Sequence, residues 1–412
     1  MYLKMKGMED MWLKKNKEDN VTYIGNGNVR KINKKKLIVL IIVVLVIWFF
    51  ASVFATYLMD ENFRKFMDIN VFMKNMEDED VVTVEIGNVN EDNIFAYSNY
   101  VAVIKDNVLT TYNSNGKEAA KLNVEVSSPI IDTNEDYAVI AERNGQALYS
   151  VYRNEVLWNR NVEGNISRIN VNSNGYVSIV VTGTSYKSVI ILYDKNGNEI
   201  FKTYLSSTIV VDTDVSEDNK YLSFAEINMS GTLIQSNIKR ISIDKAKDSP
   251  SDSIVHKYSA EADRLIVDIK YQNKKLVCMY DDSIHVIDNE NDKKIVDFNE
   301  NSKNIIFSDI NLRSYVVDIS EKSSGMFGGK TTVTLTNSQN EKQNFYNIDG
   351  TAKELYCSED RVGINLGNEV HFIDMNGWLV KKYTSGKDVK KIVVGGSIAG
   401  IVQKDRIKIL NL

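Results

Sequence analysis

A short sequence unit recurs eight times and constrains the fold of this chain more than any other feature. Each copy is a polar turn, then an aromatic or aliphatic residue, then alternating apolar residues. The aligned positions are Tyr100, Tyr137, Tyr176, Tyr221, Leu276, Tyr315, Val362 and Ile398, at intervals of 37, 39, 45, 55, 39, 47 and 36 residues. Alternation with a period of two predicts strands, and their regular recurrence predicts a repeat architecture.

A second turn follows the first in each unit. Its best forms contain Asn-Gly, at residues 115–116, 196–197 and 376–377. Asn-Gly is a strong hairpin signal because both central residues of the turn need a positive φ. Two hairpins per unit give four strands, and four-stranded units of about 40 residues are typical of an all-β fold, the β-propeller.

The count of units predicts eight blades, with seven as the alternative because the copies at Leu276 and Ile398 are faint. The last unit stops after its third strand, near residue 410. An unassigned strand at residues 81–86 precedes the first unit. We expect this strand to complete the last blade, because closing the ring removes exposed strand edges.

Several motifs resemble known propeller families. Residues 216–224 are similar to the Ser-Pro-Asp-Gly-Lys-Tyr-Leu unit of TolB-type propellers, with Glu217 for proline and Asn219 for glycine. Asn376-Gly377-Trp378 resembles the hairpins of quinoprotein-like propellers. The whole layout is similar to a family of unknown function among single-pass membrane proteins of Firmicutes, chiefly clostridia. This resemblance implies fold and topology, and it implies no catalytic residue.

Residues 37–58 contain no charged residue, and sixteen of these 22 are Leu, Ile, Val or Phe. A helix of this length spans about 30 Å, the thickness of a bilayer core. A cleaved signal peptide is the alternative, but the apolar stretch is long for one and no clear cleavage site follows. The sequence predicts a single transmembrane helix in contact with membrane lipid.

Basic residues precede this span, and Asp60 and Glu61 follow it. The positive-inside rule therefore predicts a cytoplasmic tail at residues 1–36 and an extracellular β-propeller at residues 81–412, on the cell membrane. Residues 59–80 form a stalk for which Phe63 and Phe66 favour a short helix. The topology-determining residues are Arg30, Lys31, Lys34, Lys35 and Lys36.

Charge argues against nucleic acid as a partner. The chain has 50 Lys/Arg and 55 Asp/Glu, but the first 36 residues hold 10 of the basic and 4 of the acidic ones. The remainder has a net charge of −11, which is unfavourable for binding a phosphate backbone.

Few residues suit catalysis, a metal or a cofactor. Cys278 and Cys357 lie 79 residues apart, and we expect each to be a buried, unpaired thiol. The three histidines fall one per unit, and His285 and His371 occupy equivalent strand positions. The acidic clusters at residues 132–136 and 212–218 could bind calcium, but solvated turns are the favoured interpretation. We therefore predict no catalytic, metal or cofactor-binding residue and no cofactor.

One loop is a candidate partner contact. Residues 321–330 place Met326 and Phe327 between glycines. Exposed apolar residues on a loop are unfavourable unless a partner covers them. The alternative is an unengaged hairpin tip.

Three functions remain open from the sequence. The first is a membrane-anchored, noncatalytic scaffold that binds a protein or cell-envelope partner. The second is a cofactor- or substrate-binding propeller enzyme with its site in the central channel, which clustered carboxylates or arginines would favour. The third is a sensor acting through the helix. The partner and the oligomeric state stay undetermined.

Overall fold

The structure is a computed structural model that describes residues 34–72, 74, 81–231, 233–261, 264–289, 291–300, 304–323 and 329–412. The chain divides into two units, residues 1–75 and 76–412. Among the predicted site residues, Arg30, Lys31, Met326 and Phe327 lie outside the described residues.

The first unit contains two helices. Helix α1 (Lys34–Met59) is largely exposed, and an 18-residue window within residues 35–59 has a mean hydropathy of 3.3, enough for a membrane anchor or a signal sequence. Helix α2 (Glu61–Asn70) starts where the Asp60 carboxylate accepts a hydrogen bond from the Phe63 N–H at 2.9 Å. The Tyr57 hydroxyl donates to Asp68 Oδ1 at 2.8 Å and joins the two helices.

The second unit is a β-propeller of eight four-stranded antiparallel sheets, as predicted. Blade 1 contains β2 (Ile94–Tyr97), β3 (Tyr100–Lys105), β4 (Val108–Tyr112) and β5 (Glu118–Asn123). Blade 2 contains β6 (Pro129–Asn134), β7 (Tyr137–Glu142), β8 (Ala147–Tyr152) and β9 (Glu155–Asn161), and blade 3 contains β10 (Asn165–Val171), β11 (Val177–Thr182), β12 (Ser188–Tyr193) and β13 (Glu199–Leu205). Blade 4 contains β14 (Ile209–Val215), β15 (Tyr221–Asn228), β16 (Gln235–Ser242) and β17 (Ile254–Ser259).

Blades 5–8 complete the ring. Blade 5 contains β18 (Ile266–Gln272), β19 (Lys275–Tyr280), β20 (Ser283–Asp288) and β21 (Asn291–Asp297). Blade 6 contains β22 (Asn304–Asp309), β23 (Tyr315–Ser323), β24 (Gly329–Asn337) and β25 (Gln343–Asp349), and blade 7 contains β26 (Glu354–Ser358), β27 (Arg361–Asn365), β28 (Glu369–Asp374) and β29 (Leu379–Thr384). Blade 8 contains β30 (Lys391–Val394), β31 (Ile398–Val402), β32 (Arg406–Asn411) and β1 (Val82–Glu85). Helix α3 (Ile243–Asp248) and a 3-10 turn (Pro250–Asp252) lie between β16 and β17.

The four strands of each blade are labelled A to D from the inside of the ring outward. The AB and CD loops emerge on one face of the propeller, which we call the AB face. The BC loops and the connections between blades emerge on the opposite face, the BC face. This assignment follows from the antiparallel order of the strands in every sheet.

Strand β1 closes the ring by pairing with β32. Val82 lies opposite Ile409 and Val84 opposite Ile407, so the first strand of the propeller is the D strand of blade 8. Val84 is 8% exposed and packs in a cluster that also contains Ile94 of blade 1. The prediction that residues 81–86 complete the last blade is confirmed.

The hydrophobic core lies between blades rather than in one central mass. In one cluster, Val139 and Leu148 of blade 2 pack against Ile179 and Val189 of blade 3. Full burial of such a side chain stabilises the fold by about 1.5–3 kcal/mol. Alternating apolar residues on both faces of each sheet therefore hold neighbouring blades together, and the innermost strands keep their channel edges free for polar groups.

Candidate functional site: the central channel

The central channel is lined by the A strands, and strand register identifies equivalent positions in all eight blades. Two positions per A strand point toward the following blade, and we call them the upper ring and the lower ring. The upper ring contains Phe95, Asp132, Asn170, Asp214, Lys270, Asp309, Tyr356 and Val393. The lower ring includes Ile130, Arg168, Asp212, Asp268, Phe307, Glu354 and Lys391.

A cavity of about 410 Å³ opens among these A strands. Residues from blades 1, 2, 5, 6, 7 and 8 line it, which places it within the channel. A second cavity of about 220 Å³ lies toward the AB face and shares Lys270 with the first. Five aspartates of the two rings, together with Lys270 and Lys391, lie in this region, so the channel is a charged interior site.

Several channel carboxylates accept hydrogen bonds from the backbone of the next blade. Asp132 accepts from the Val171 N–H at 2.7 Å, and Asp214 accepts from the Tyr271 N–H at 2.5 Å. Glu354 accepts from the Ile392 N–H at 3.2 Å. An A strand has no sheet partner on its channel side, so these N–H groups would otherwise need water. The carboxylates therefore join neighbouring blades at the inner rim.

Lys270 lies among the carboxylates and balances part of their charge. Its ammonium is 3.9 Å from Asp214 Oδ1. Burial alone would lower the pKa of Lys270, but the Asp214 and Asp132 carboxylates outweigh burial and raise that pKa. Asp268 and Asp212 act in the same direction. Lys270 therefore stays protonated at neutral pH inside the channel.

The aspartates hold protons more tightly than exposed carboxyl groups do. Burial raises the pKa of Asp214 to about 6 and that of Asp309 to about 7. Burial, together with the charge of Asp268 and a hydrogen bond to it, raises the pKa of Asp212 well above its ordinary value. Such a bond requires a proton between the two carboxyl groups, as in other close carboxyl pairs. The channel therefore holds exchangeable protons near neutral pH.

An ion pair crosses the mouth of the channel on the AB face. Arg313 Nη2 of blade 6 lies 3.1 Å from Glu135 Oε1 of blade 2, on the opposite side of the ring. The Arg313 N–H also donates to the Glu359 carbonyl at 2.8 Å, and Leu312 forms a parallel bridge to Glu359. The blade 6 AB loop is residues 310–314, long enough to reach over the mouth.

The structure corrects the interpretation of the acidic clusters. Solvated turns were favoured for residues 132–136 and 212–218, but Asp132, Asp212 and Asp214 are A-strand residues of the channel. The interpretation holds for Asp136 and Asp218, which lie in AB turns. No group of three or more His, Cys, Asp or Glu arranged to hold a metal is found within the described ranges.

The cysteines and histidines do not meet at a site. Cys278 and Cys357 are buried, unpaired thiols, as predicted. His285 and His371 lie on the C strands β20 and β28, in equivalent register. His285 Nδ1 lies 2.7 Å from Asp292 Oδ1, and the Tyr346 hydroxyl lies 2.8 Å from His371 Nδ1. These contacts hold strands together within or between blades.

Sequence reasoning missed Asp268, Lys270 and Asp309. Their signal was present, because Asp268 and Lys270 alternate with apolar residues in a mostly apolar strand. A charge inside such a pattern costs free energy unless it is paired or reaches water. Aligning the A strands as well as the B strands would have placed these residues in one channel.

The BC face carries the most exposed apolar loop of the described propeller residues. Met229, Leu233 and Ile234, between β15 and β16 of blade 4, are 52%, 56% and 40% exposed. We call these three side chains the blade 4 tip. Strands β23 and β24, which flank residues 324–328, end at the same face. The predicted contact residues Met326 and Phe327 belong to the segment between these two strands in the sequence and lie outside the described residues.

These features define the class of protein: a closed eight-bladed propeller with a charged channel and an apolar N-terminal helix. The chain belongs to the DUF5711 family, a family of unknown function, whose model matches residues 74–412. No curated protein sequence matches the chain.

Solved structures share the propeller fold at low sequence identity. The C-terminal WD40 domain of Sif2 is 15% identical, covering 80% of this chain and 98% of that one, with a TM-score of 0.52. AztD from Citrobacter koseri, solved in its apo form, is 8% identical over 76% and 90%, with a TM-score of 0.50. BamB from Moraxella catarrhalis is 10% identical over 80% and 100%, with a TM-score of 0.45. At these identities the similarity to the Sif2 domain and to AztD establishes the fold alone.

Proposed function

We propose that this protein is a membrane-anchored, extracytoplasmic and noncatalytic scaffold that binds a protein partner through the BC face. The observation that carries the proposal is the blade 4 tip, where three large apolar side chains are exposed on one short loop. Apolar anchors displayed on a rigid framework are typical of protein interfaces. The propeller supplies the rigid framework.

The proposed location rests on the first helix. Lys35 and Lys36 precede the apolar segment, and Asp60 and Glu61 follow it. This asymmetry favours a helix that stays in the membrane with its N-terminus in the cytoplasm. The propeller would then lie on the outer side, where its BC face can meet secreted or envelope-bound proteins.

A single-cysteine experiment tests the location. Both native cysteines are buried, so Asn196→Cys, in an exposed turn of blade 3, adds one reactive thiol. A membrane-impermeant maleimide should label this variant in intact cells and leave the wild-type protein unlabelled. Labelling only after lysis would contradict an extracytoplasmic propeller.

Crosslinking in cells tests the binding face. Met229→Asp together with Leu233→Asp should remove crosslinked protein partners, because carboxylates cannot be buried in an apolar interface without a large cost. Ile254→Asp with Val255→Asp is the matched control, since these residues are each 42% exposed on the outer strand of the same blade. Equal loss in both variants, or no loss in either, would contradict the proposed face.

Met326→Asp with Phe327→Asp extends this test to blade 6. We expect the same partners to be lost as with the blade 4 variant, because both loops follow strands that end at the BC face. Unchanged partners would remove residues 326–327 from the interface and leave the blade 4 tip as the contact.

The channel supports a second candidate, a binding site for a small polar ligand. The observation that favours it is the convergence of Asp132, Lys270, Asp309 and Tyr356 on one cavity of about 410 Å³. Native mass spectrometry of the protein extracted from its own membrane tests it. A bound small molecule that is lost in Tyr356→Phe would support this candidate, and an unliganded mass would count against it.

A further inference from the structure

A large recess lies on the outer rim between blades 2 and 3, away from the channel. Its volume is about 1080 Å³, and it is open to solvent. Pockets for drug-sized ligands span about 300–1,000 Å³, so an open recess of this size suits a longer ligand. We call it the rim groove, and it runs along the face of β12 and β13.

Two exposed tyrosines form one wall of the rim groove. Tyr186 is 41% exposed and Tyr204 is 55% exposed, and their ring centroids are 4.8 Å apart with a tilt of 44°. The Tyr186 N–H donates to Thr184 Oγ1 at 3.1 Å, which fixes the loop that carries the ring. The pair therefore presents one continuous and pre-positioned aromatic surface to solvent.

The charges that line the rim groove sum to zero, because Arg160 and Lys202 are balanced by Glu163 and Glu199. Lys202 lies 2.8 Å from Glu199, and Arg160 Nη2 donates to the Gly197 carbonyl at 3.0 Å. The Arg160 contact also fixes blade 2 to blade 3 at one end of the groove. With these groups satisfied, the groove has no strong preference for an anion or a cation.

The other exposed side chains that line the groove are neutral and polar, and the apolar side chains at its base are buried. Asn161, Ser185 and Asn198 supply amide and hydroxyl groups. Val189 and Ile191 are only 4% exposed, so they offer little aliphatic surface to a protein side chain. The lining differs in this respect from the blade 4 tip, which exposes aliphatic side chains directly.

We propose that the rim groove binds a neutral oligosaccharide segment. A sugar ring has an apolar C–H face that packs on the negative face of an aromatic ring, and hydroxyl groups at its edge that bond to amides and hydroxyls. A peptide would favour a groove with exposed aliphatic pockets or a free strand edge, and this lining is the face of a sheet. This inference adds a glycan-binding site to the proposed scaffold. It rests on the proposed function only for the cellular location at which the protein meets the glycan.

Titration of the purified full-length protein in detergent tests the inference. The probes are neutral hexasaccharides of N-acetylglucosamine, glucose and mannose, followed by calorimetry. At least one should bind saturably, and Tyr204→Ala and Tyr186→Ala should each weaken it at least tenfold. Tyr204→Phe keeps the ring and should stay within threefold of wild type. Phe345→Ala removes a ring that is 51% exposed on the outer strand of blade 6 and should change nothing.

Chemical modification provides a second measurement. The bound hexasaccharide should protect Tyr186 and Tyr204 from nitration, as read by peptide mass spectrometry. Absence of binding by all three probes, or equal binding by the alanine variants, would overturn the inference. Binding restricted to an anionic hexasaccharide would overturn the neutral assignment. These outcomes use purified protein, so they are independent of the cell-based tests of location and partner capture.

Discussion

Lys270 is the residue on which the channel's charge balance depends. Lys270→Met leaves Asp132 and Asp214 without their cation, and breaking a buried ion pair on one side costs about 3–5 kcal/mol. We expect the free energy of unfolding to fall by about that amount at pH 8, measured by urea denaturation. Adding Asp214→Asn to the Lys270→Met variant should recover part of the lost free energy of unfolding. A stability equal to wild type would show that the pairing contributes little.

Proton binding in the channel predicts that stability rises as the solution becomes more acidic. The folded protein holds protons on Asp214 up to about pH 6 and on Asp309 up to about pH 7. The unfolded chain releases them near pH 4. Since the folded state binds more protons between these values, the free energy of unfolding should fall as pH rises from 5 to 8.

Denaturation midpoints at pH 5, 6, 7 and 8 measure this slope. Asp309→Asn should flatten it, because the amide does not titrate. Asp297→Asn is the control, since its exposed carboxyl has a lowered pKa and is ionised throughout this range. A slope that persists in Asp309→Asn with Asp214→Asn would place the titrating groups outside the channel.

Among the strands, β1 is the one in which substitutions have the clearest expected effect on the free energy of unfolding. Val84 points into the core between blades 8 and 1, whereas Thr83 of the same strand is exposed. Val84→Asp would bury an unpaired carboxyl and should cost about 2–4 kcal/mol, and Thr83→Asp should stay within about 0.5 kcal/mol. Hydrogen exchange of β32 should report the opening. Equal effects of the two variants would mean that β1 does not close the ring.

The sequence predicts the strands well and the channel poorly, for one physical reason. The B strands are buried on both faces, so Tyr137 and Tyr221 each begin a mostly apolar run, and these runs align directly. The A strands follow AB loops of unequal length, two residues before Tyr100 and five before Tyr315, and several contain bulges. The register that places Asp214 and Lys270 at the same level is therefore visible only in three dimensions.

At the scale of the whole molecule, the Arg313–Glu135 ion pair lies across the AB mouth, and we expect it to restrict access to the channel. Arg313→Ala should leave stability nearly unchanged, because an exposed pair contributes about 0–1 kcal/mol. It should, however, raise the rate at which a small thiol reagent labels Cys357, which lines the 410 Å³ cavity, at least threefold. Burial raises the pKa of the Cys357 thiol, so the assay is run at pH 8.

Two internal controls accompany this assay. Cys278 lies in the blade 5 core, and its labelling should not change. Arg153→Ala breaks a comparable exposed pair with Asp136 at 3.0 Å that lies within blade 2 and does not cross the mouth, and it should leave Cys357 labelling as in wild type. Faster labelling in both arginine variants would indicate general loosening instead of an opened mouth.

Ring closure also has a consequence for synthesis. Val82 pairs with Ile409, so the D strand of blade 8 is made 327 residues before the C strand with which it pairs. At about 5–20 residues per second, β1 leaves the ribosome roughly 15–65 s before its partner exists. During that interval β1 has an unpaired edge and an apolar face. We therefore expect the nascent chain to need its first strand shielded until translation reaches the last one.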